Sequence, residues 1–145
     1  MKDLLYLKDE HLKEFIEKLF IGYRESFGDA KKTLDKYSLG VAHHKVIHII
    51  SIHEGITISN LLKKLKVTKQ SLNRILNDLV KFNIISFIKD EKDSRMKHVH
   101  LTKKGGEVFN EIFNSQKKRI YNALINSSSL EVNHFKNVLK KIIDE

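Results

Sequence analysis

The 145-residue sequence predicts a mainly α-helical protein that carries one small β-hairpin. Three observations predict it. Apolar residues recur at helical spacing through most of the chain, the period falls to two only between Ile84 and Leu101, and no proline interrupts a helix. The length suits one domain, residues 1–145, with a single core.

Leu12, Phe15, Ile16, Leu19, Phe20 and Tyr23 form the stripe of an amphipathic helix that ends near Phe27-Gly28. A second pattern, Val41, Val46, Ile47, Ile49 and Ile50, stops at Gly55, where glycine can take the left-handed conformation that closes a helix. Thr57 or Ser59 can cap a short helix through Leu65, Val67 occupies a tight turn, and Thr68 can cap a longer helix through Phe82. This is a helix-turn-helix in outline. Asn83 is a left-handed stop. The strands IISFIKD and KHVHL follow, joined by a charged turn. Thr102 caps the next helix, whose stripe is Phe109, Ile112, Phe113, Ile120 and Leu124. Ser127 to Ser129 break it, and Ser128 with Glu131 forms a capping box opening a last helix faced by Phe135, Val138, Leu139 and Ile142.

Cysteine is absent, which removes disulfides, thiolate ligands and cysteine nucleophiles. No apolar run approaches the roughly 18 residues of a membrane span, and charges break up the leucines of MKDLLYLKDEHLKEF, so a soluble cytoplasmic protein without a membrane partner is expected. The net charge is +9. Thr57 to Lys104 hold twelve Lys or Arg against four Asp or Glu, so eight of the nine net charges lie in the central third. Such sorting marks a localised basic surface for a polyanion rather than a solubility charge.

On the helix from Thr68, Leu72, Ile75, Leu76, Leu79 and Val80 make one apolar side, which core packing explains. Gln70, Asn73, Arg74 and Asn77 project from the other. A solvated helix is usually faced with Glu and Lys, the better helix formers, whereas Asn and Gln can pair with adenine and Arg with guanine in the major groove. Thr68, Lys69 and Ser71 stand at the N-terminal turn, where hydroxyls, free N–H groups and the helix dipole suit phosphate. Lys81 joins these DNA-binding candidates. Asparagine is common along this chain, so a solvated amide face is the alternative.

In the hairpin turn Lys92, Arg95 and Lys97 are offset by Asp90, Glu91 and Asp93. Charge alone makes it a poor phosphate clamp. Asp93 can instead fix the direction of Arg95, and an aimed arginine suits a narrow minor groove. The competing reading is an exposed hairpin with a surface ion pair worth about 0–1 kcal/mol.

GITISNLLKKLKVTKQSLNRILNDLVKFNIISFIKDEKDSRMKHVHLTKKG resembles the MarR family of winged helix-turn-helix regulators. Its most specific piece is Asp93-x-Arg95, then a strand, then Leu101-Thr102-x-x-Gly105. The likeness covers residues 38–106, with the flanking helices alike in pattern only. It implies a winged helix-turn-helix module over 38–105 and dimerisation helices over 1–37 and 106–145. A homodimer would then bind pseudo-palindromic double-stranded DNA, with helix 68–82 in the major groove and wing 84–101, through Arg95, at the minor groove. Lys92 and Asp93 complete the wing's DNA-binding set. Asn83 departs from the family's usual glycine, which asparagine can replace in the same conformation. The terminal helices offer more apolar surface than a small module can cover, which also points to a second copy, packing of the stripes on each other within one chain being the alternative.

Of the eight histidines, His44 and His48 share a helix face and His98 and His100 a strand face, but zinc needs three or four ligands and no third joins them. No metal or cofactor is expected. The resemblance places His43 and His44 beside a cleft where a small anionic or phenolic effector would sit. The leading expectation is a dimeric, sequence-specific transcriptional repressor. The alternatives are a winged-helix protein-interaction module and a metal-responsive regulator using histidines. No phosphate-cradling loop, nucleophile elbow or metal spacing suggests an enzyme.

Overall fold

The computed structural model describes residues 4–145, so Met1 to Asp3 of the N-terminal segment lie outside the described residues. A single 3-10 turn, Leu5–Leu7, precedes α1 (Asp9–Gly28), α2 (Lys31–Lys36) and α3 (Val41–Ile52). Then come β1 (Ile56–Thr57), α4 (Ile58–Leu65), α5 (Lys69–Lys81), β2 (Ile85–Lys89), β3 (Lys97–Leu101), α6 (Lys103–Ile125) and α7 (Ser129–Ile142).

The caps follow local chemistry. Thr57 rather than Ser59 caps α4, its hydroxyl accepting the Asn60 N–H at 3.2 Å. Thr68 caps α5 through the Ser71 N–H at 3.1 Å. Ser128 and Glu131 form the reciprocal box of α7, with Ser128 N–H donating to Glu131 at 3.0 Å and Glu131 N–H to Ser128 at 3.1 Å. Asn83 adopts φ 59°, the left-handed stop. The turn between α4 and α5 places its left-handed residue at Lys66 (φ 52°), one position before Val67.

Three features differ from the expected pattern. The helix from Val41 ends at Ile52, not Gly55; Gly55, at φ +83°, turns the chain into β1 instead. Because β1 pairs with β3, the hairpin becomes a three-stranded antiparallel sheet of order β1-β3-β2. Helix α2 was absent from the pattern because six residues without a side-chain cap carry no periodicity. Its Leu34 is nonetheless buried beside Ala30 and Leu39.

Two compact units divide the chain, the termini up to Gly28 with Gln116–Glu145, and Asp29–Ser115. The central unit holds the core: Val46, Ile47 and Ile50 of α3, Leu61 of α4, Leu72, Leu76 and Leu79 of α5, Ile84, Ile85 and Val99 of the wing, and Val108 and Ile112 of α6. Val41 and Val80, read from spacing as core residues, are exposed at the margins of their helices. Leu72 is 1% exposed, so Leu72→Ala is expected to lower stability by about 3 kcal/mol in urea denaturation while leaving the outward face of α5 intact.

In the terminal unit, Tyr23 packs on Phe27 with ring centroids 4.8 Å apart, and the Gln116 amide donates to the Ser26 carbonyl at 2.9 Å. Neither α1 nor α7 has a buried residue.

Candidate nucleic-acid interface

The polar face of α5 is an outcome of helix geometry. With Leu72, Leu76 and Leu79 turned into the core, Gln70, Asn73, Arg74 and Asn77 are all exposed, as are Lys69 and Lys81. At the N-terminus Thr68 also donates its hydroxyl to Ser71 Oγ at 2.9 Å, so the two hydroxyls form one polar edge beside the free N–H groups of the first turn.

Two ties hold α5 in place. The Gly40 N–H donates to His43 Nδ1 at 3.0 Å, which leaves the proton of a neutral ring on Nε2, 3.0 Å from Asp78 Oδ2 on α5. At the other end the Lys104 ammonium donates to the Phe82 carbonyl at 2.9 Å, where a cation complements the helix C-terminus. Thr102 closes the junction after α5, its hydroxyl donating to the Asn83 carbonyl at 2.6 Å and its N–H to the Ile84 carbonyl at 2.9 Å.

The wing turn is organised by its acids. Asp93 Oδ1 accepts both the Arg95 N–H at 3.0 Å and its Nε–H at 3.2 Å, which directs the arginine from an 90% exposed side chain. Asp90 Oδ2 accepts the N–H groups of Lys92 and Asp93, each at 3.0 Å. Its Oδ1 lies 2.8 Å from His98 Nε2, and His98 Nδ1 lies 2.8 Å from the Gly55 carbonyl. The His98 ring, then the two amides, hold the Asp90 carboxyl below its ordinary pKa, while Asp90 and then the Gly55 carbonyl raise that of His98. Lys92 and Arg95 are exposed at the tip.

His43 and His44 part company. His43 is engaged with Gly40 and Asp78, whereas His44 is fully buried, with its ring edge-on to His48 at 6.2 Å. Adjacent helix positions point about 100° apart, so one faces α5 and the other the interior. Of the two, His43 alone keeps exposed surface. Burial lowers the pKa of His48. Among the described residues no group of three or more His, Cys, Asp or Glu could hold a metal ion, and no helix is long and apolar enough to cross a membrane.

Asp90 and His98 carry the wing's geometry yet were not among the expected site residues. An acid opening a charged turn is a readable signal for Asp90. His98 has none, because one of its partners is 43 residues away.

A capped helix presenting an amide and basic face, followed by a wing with an aimed arginine, defines a regulator of the winged helix-turn-helix class. The comparisons agree: a family model described as MarR family matches residues 37–96. The HTH-type transcriptional regulator PetP of Rhodobacter capsulatus is 37% identical over 141 residues, spanning 97% of this chain and 85% of that protein. The chain belongs to the MarR family. Among solved structures, MepR of S. aureus in its DNA-binding conformation is similar in fold, with a TM-score of 0.81 at 18% identity, over 90% of this chain and 96% of that one. A mutant MarR of E. coli complexed with operator DNA has a TM-score of 0.67 at 22% identity, over 97% of this chain and 99% of that one.

Proposed function

We propose that the protein is a homodimeric, sequence-specific DNA-binding repressor of transcription. One observation carries the reading: Gln70, Asn73, Arg74 and Asn77 stand exposed together on a helix whose opposite side is locked in the core. Amides and guanidinium reach base edges in the major groove, while Thr68, Lys69, Ser71 and Lys81 are placed for phosphate. Arg95, aimed by Asp93 and supported by Lys92, reaches the minor groove. The operator complex of the E. coli MarR mutant supports this use of the fold.

The dimer rests on the terminal unit. A 20-residue helix with no fully buried residue packs only part of its apolar stripe within its own chain, and helix propensity alone leaves such segments marginal. Phe15, Leu19, Val138 and Ile142 line an apolar groove of about 760 Å³. Phe27, Ile120 and Phe135 line another of about 620 Å³. A second copy, presenting the same surfaces, covers both and supplies the second recognition helix that a pseudo-palindromic site requires.

Binding to duplex is expected to weaken steeply with salt, as counterion release demands. Arg95→Ala should lower affinity by about tenfold, equivalent to one good groove contact, without changing the melting temperature. Fluorescence anisotropy and thermal unfolding check both; unchanged affinity would remove the wing from the interface. A small anionic or phenolic effector, where one acts, would break the His43 contact to Asp78 and loosen α5. Titration of such ligands with a thermal-shift readout tests that.

A further inference from the structure

We propose that His98 is the positioning residue of the wing, a doubly protonated ring that clamps the Asp90 turn to the Gly55 carbonyl and so sets the direction of Arg95. The inference rests on the reading of Arg95 as a DNA contact.

The geometry points to a clamp across the whole sheet. His98 lies on β3, the central strand, while Gly55 immediately precedes edge strand β1 and Asp90 immediately follows edge strand β2. One imidazole therefore links the two edges. Both partner atoms are acceptors, since a carbonyl oxygen and an ionised carboxylate have no proton to give. Only the imidazolium can donate to both; a neutral ring must turn a lone pair toward one oxygen. From the ring the contacts continue without a gap. Asp90 Oδ2 holds the Asp93 N–H, and Asp93 Oδ1 holds the Arg95 N–H and Nε–H.

The other groups around His98 leave this assignment intact. Its cross-strand neighbours, Ile88 on β2 and Thr57 on β1, are uncharged. His100 follows on the same side of β3 and has its own acid, Glu54, at 3.4 Å. His53, Lys63 and Lys64 line a pocket beside Gly55, and Lys89 pairs with Lys97 at the hairpin end. Among the described residues, Asp90 alone acts on His98 by charge.

The sign of the pH effect follows. The His98 pKa is raised in the folded state, so its contribution is complete below the unfolded value and is lost as pH rises through the folded one. The Asp90 pKa is lowered, so its contribution is lost only as pH falls through that depressed value. The clamp stands between the two, and DNA affinity should fall on the alkaline side of the histidine range.

The test measures affinity for an AT-rich duplex of about 30 base pairs, three helical turns, by fluorescence anisotropy. Measurements run from about pH 6 to about pH 8.5, bracketing the ordinary histidine titration. His98→Gln should bind about fivefold more weakly than the parent at the acid end, the worth of one hydrogen bond, and equally at the alkaline end. Nitrogen NMR of the parent should show both His98 ring nitrogens protonated at the acid end, with slow exchange of the Asp93 amide that quickens as the ring titrates. A His98→Gln profile parallel to the parent's at all pH values, or a ring with one bare nitrogen at the acid end, overturns the proposal. Arg95→Ala separates the two claims. If it binds as tightly as the parent, the DNA reading of the wing fails; if it binds weakly while His98→Gln keeps the parent's pH profile, the clamp alone fails.

Discussion

Gly105→Ala is expected to lower stability by about 4 kcal/mol, well above an ordinary substitution and a large part of a small domain's total. A Cβ at Gly105 would lie 2.0 Å from the Ile84 carbonyl oxygen and 2.9 Å from its carbon. Relief requires α6 to move away from the chain leaving α5. That movement breaks the bond from the Thr102 N–H to the same carbonyl, at 2.9 Å. The obstacle is a close backbone approach rather than a left-handed conformation, and it explains why glycine stands three residues after Thr102. Gly106 is an internal control. Its added Cβ meets nothing within 4 Å, so Gly106→Ala should stabilise α6 by about 0.5–1 kcal/mol, the ordinary gain for a helix interior. Urea denaturation of both variants decides it, and equal midpoints would refute the contact.

Phe15→Glu should convert the proposed dimer to single chains and reduce affinity for DNA by about 100-fold or more, the scale on which paired sites exceed one. Phe15 borders both apolar grooves of the terminal unit and is 47% exposed within its own chain. A glutamate there costs a lone chain little. In a covered interface it would bury an unpaired carboxylate, at a cost of several kcal/mol. Light scattering reads the mass and anisotropy the affinity. A variant that keeps the parent's mass would show that these grooves do not join two copies.

The wing and the reading helix show how far local pattern reaches. Thr68, Ser128 and the pair Asp93 and Arg95 form these bonds with residues at most a few positions away, and the left-handed conformation of Asn83 is a property of its own backbone, so all were legible from spacing and side-chain chemistry. The amide face of α5 was legible because a helix with one apolar side must turn the other outward. Periodicity failed where an element was too short to display it, as in α2 and the two-residue β1. It also overreached at Val41 and Val80, where a residue of the right type sits on the edge of its stripe and stays exposed.

By itself, then, the sequence determined the helix-turn-helix, the Thr68 cap of its second helix, the outward face of α5 and the aimed arginine, because each depends on contacts within a turn or two of the chain. Only the tertiary structure decided that His44 is enclosed while His43 holds Asp78, that Gly105 must admit the Ile84 carbonyl, and that His98 joins Gly55 to Asp90. Those roles arise where segments tens of residues apart meet, and no local period encodes which atoms will face each other there.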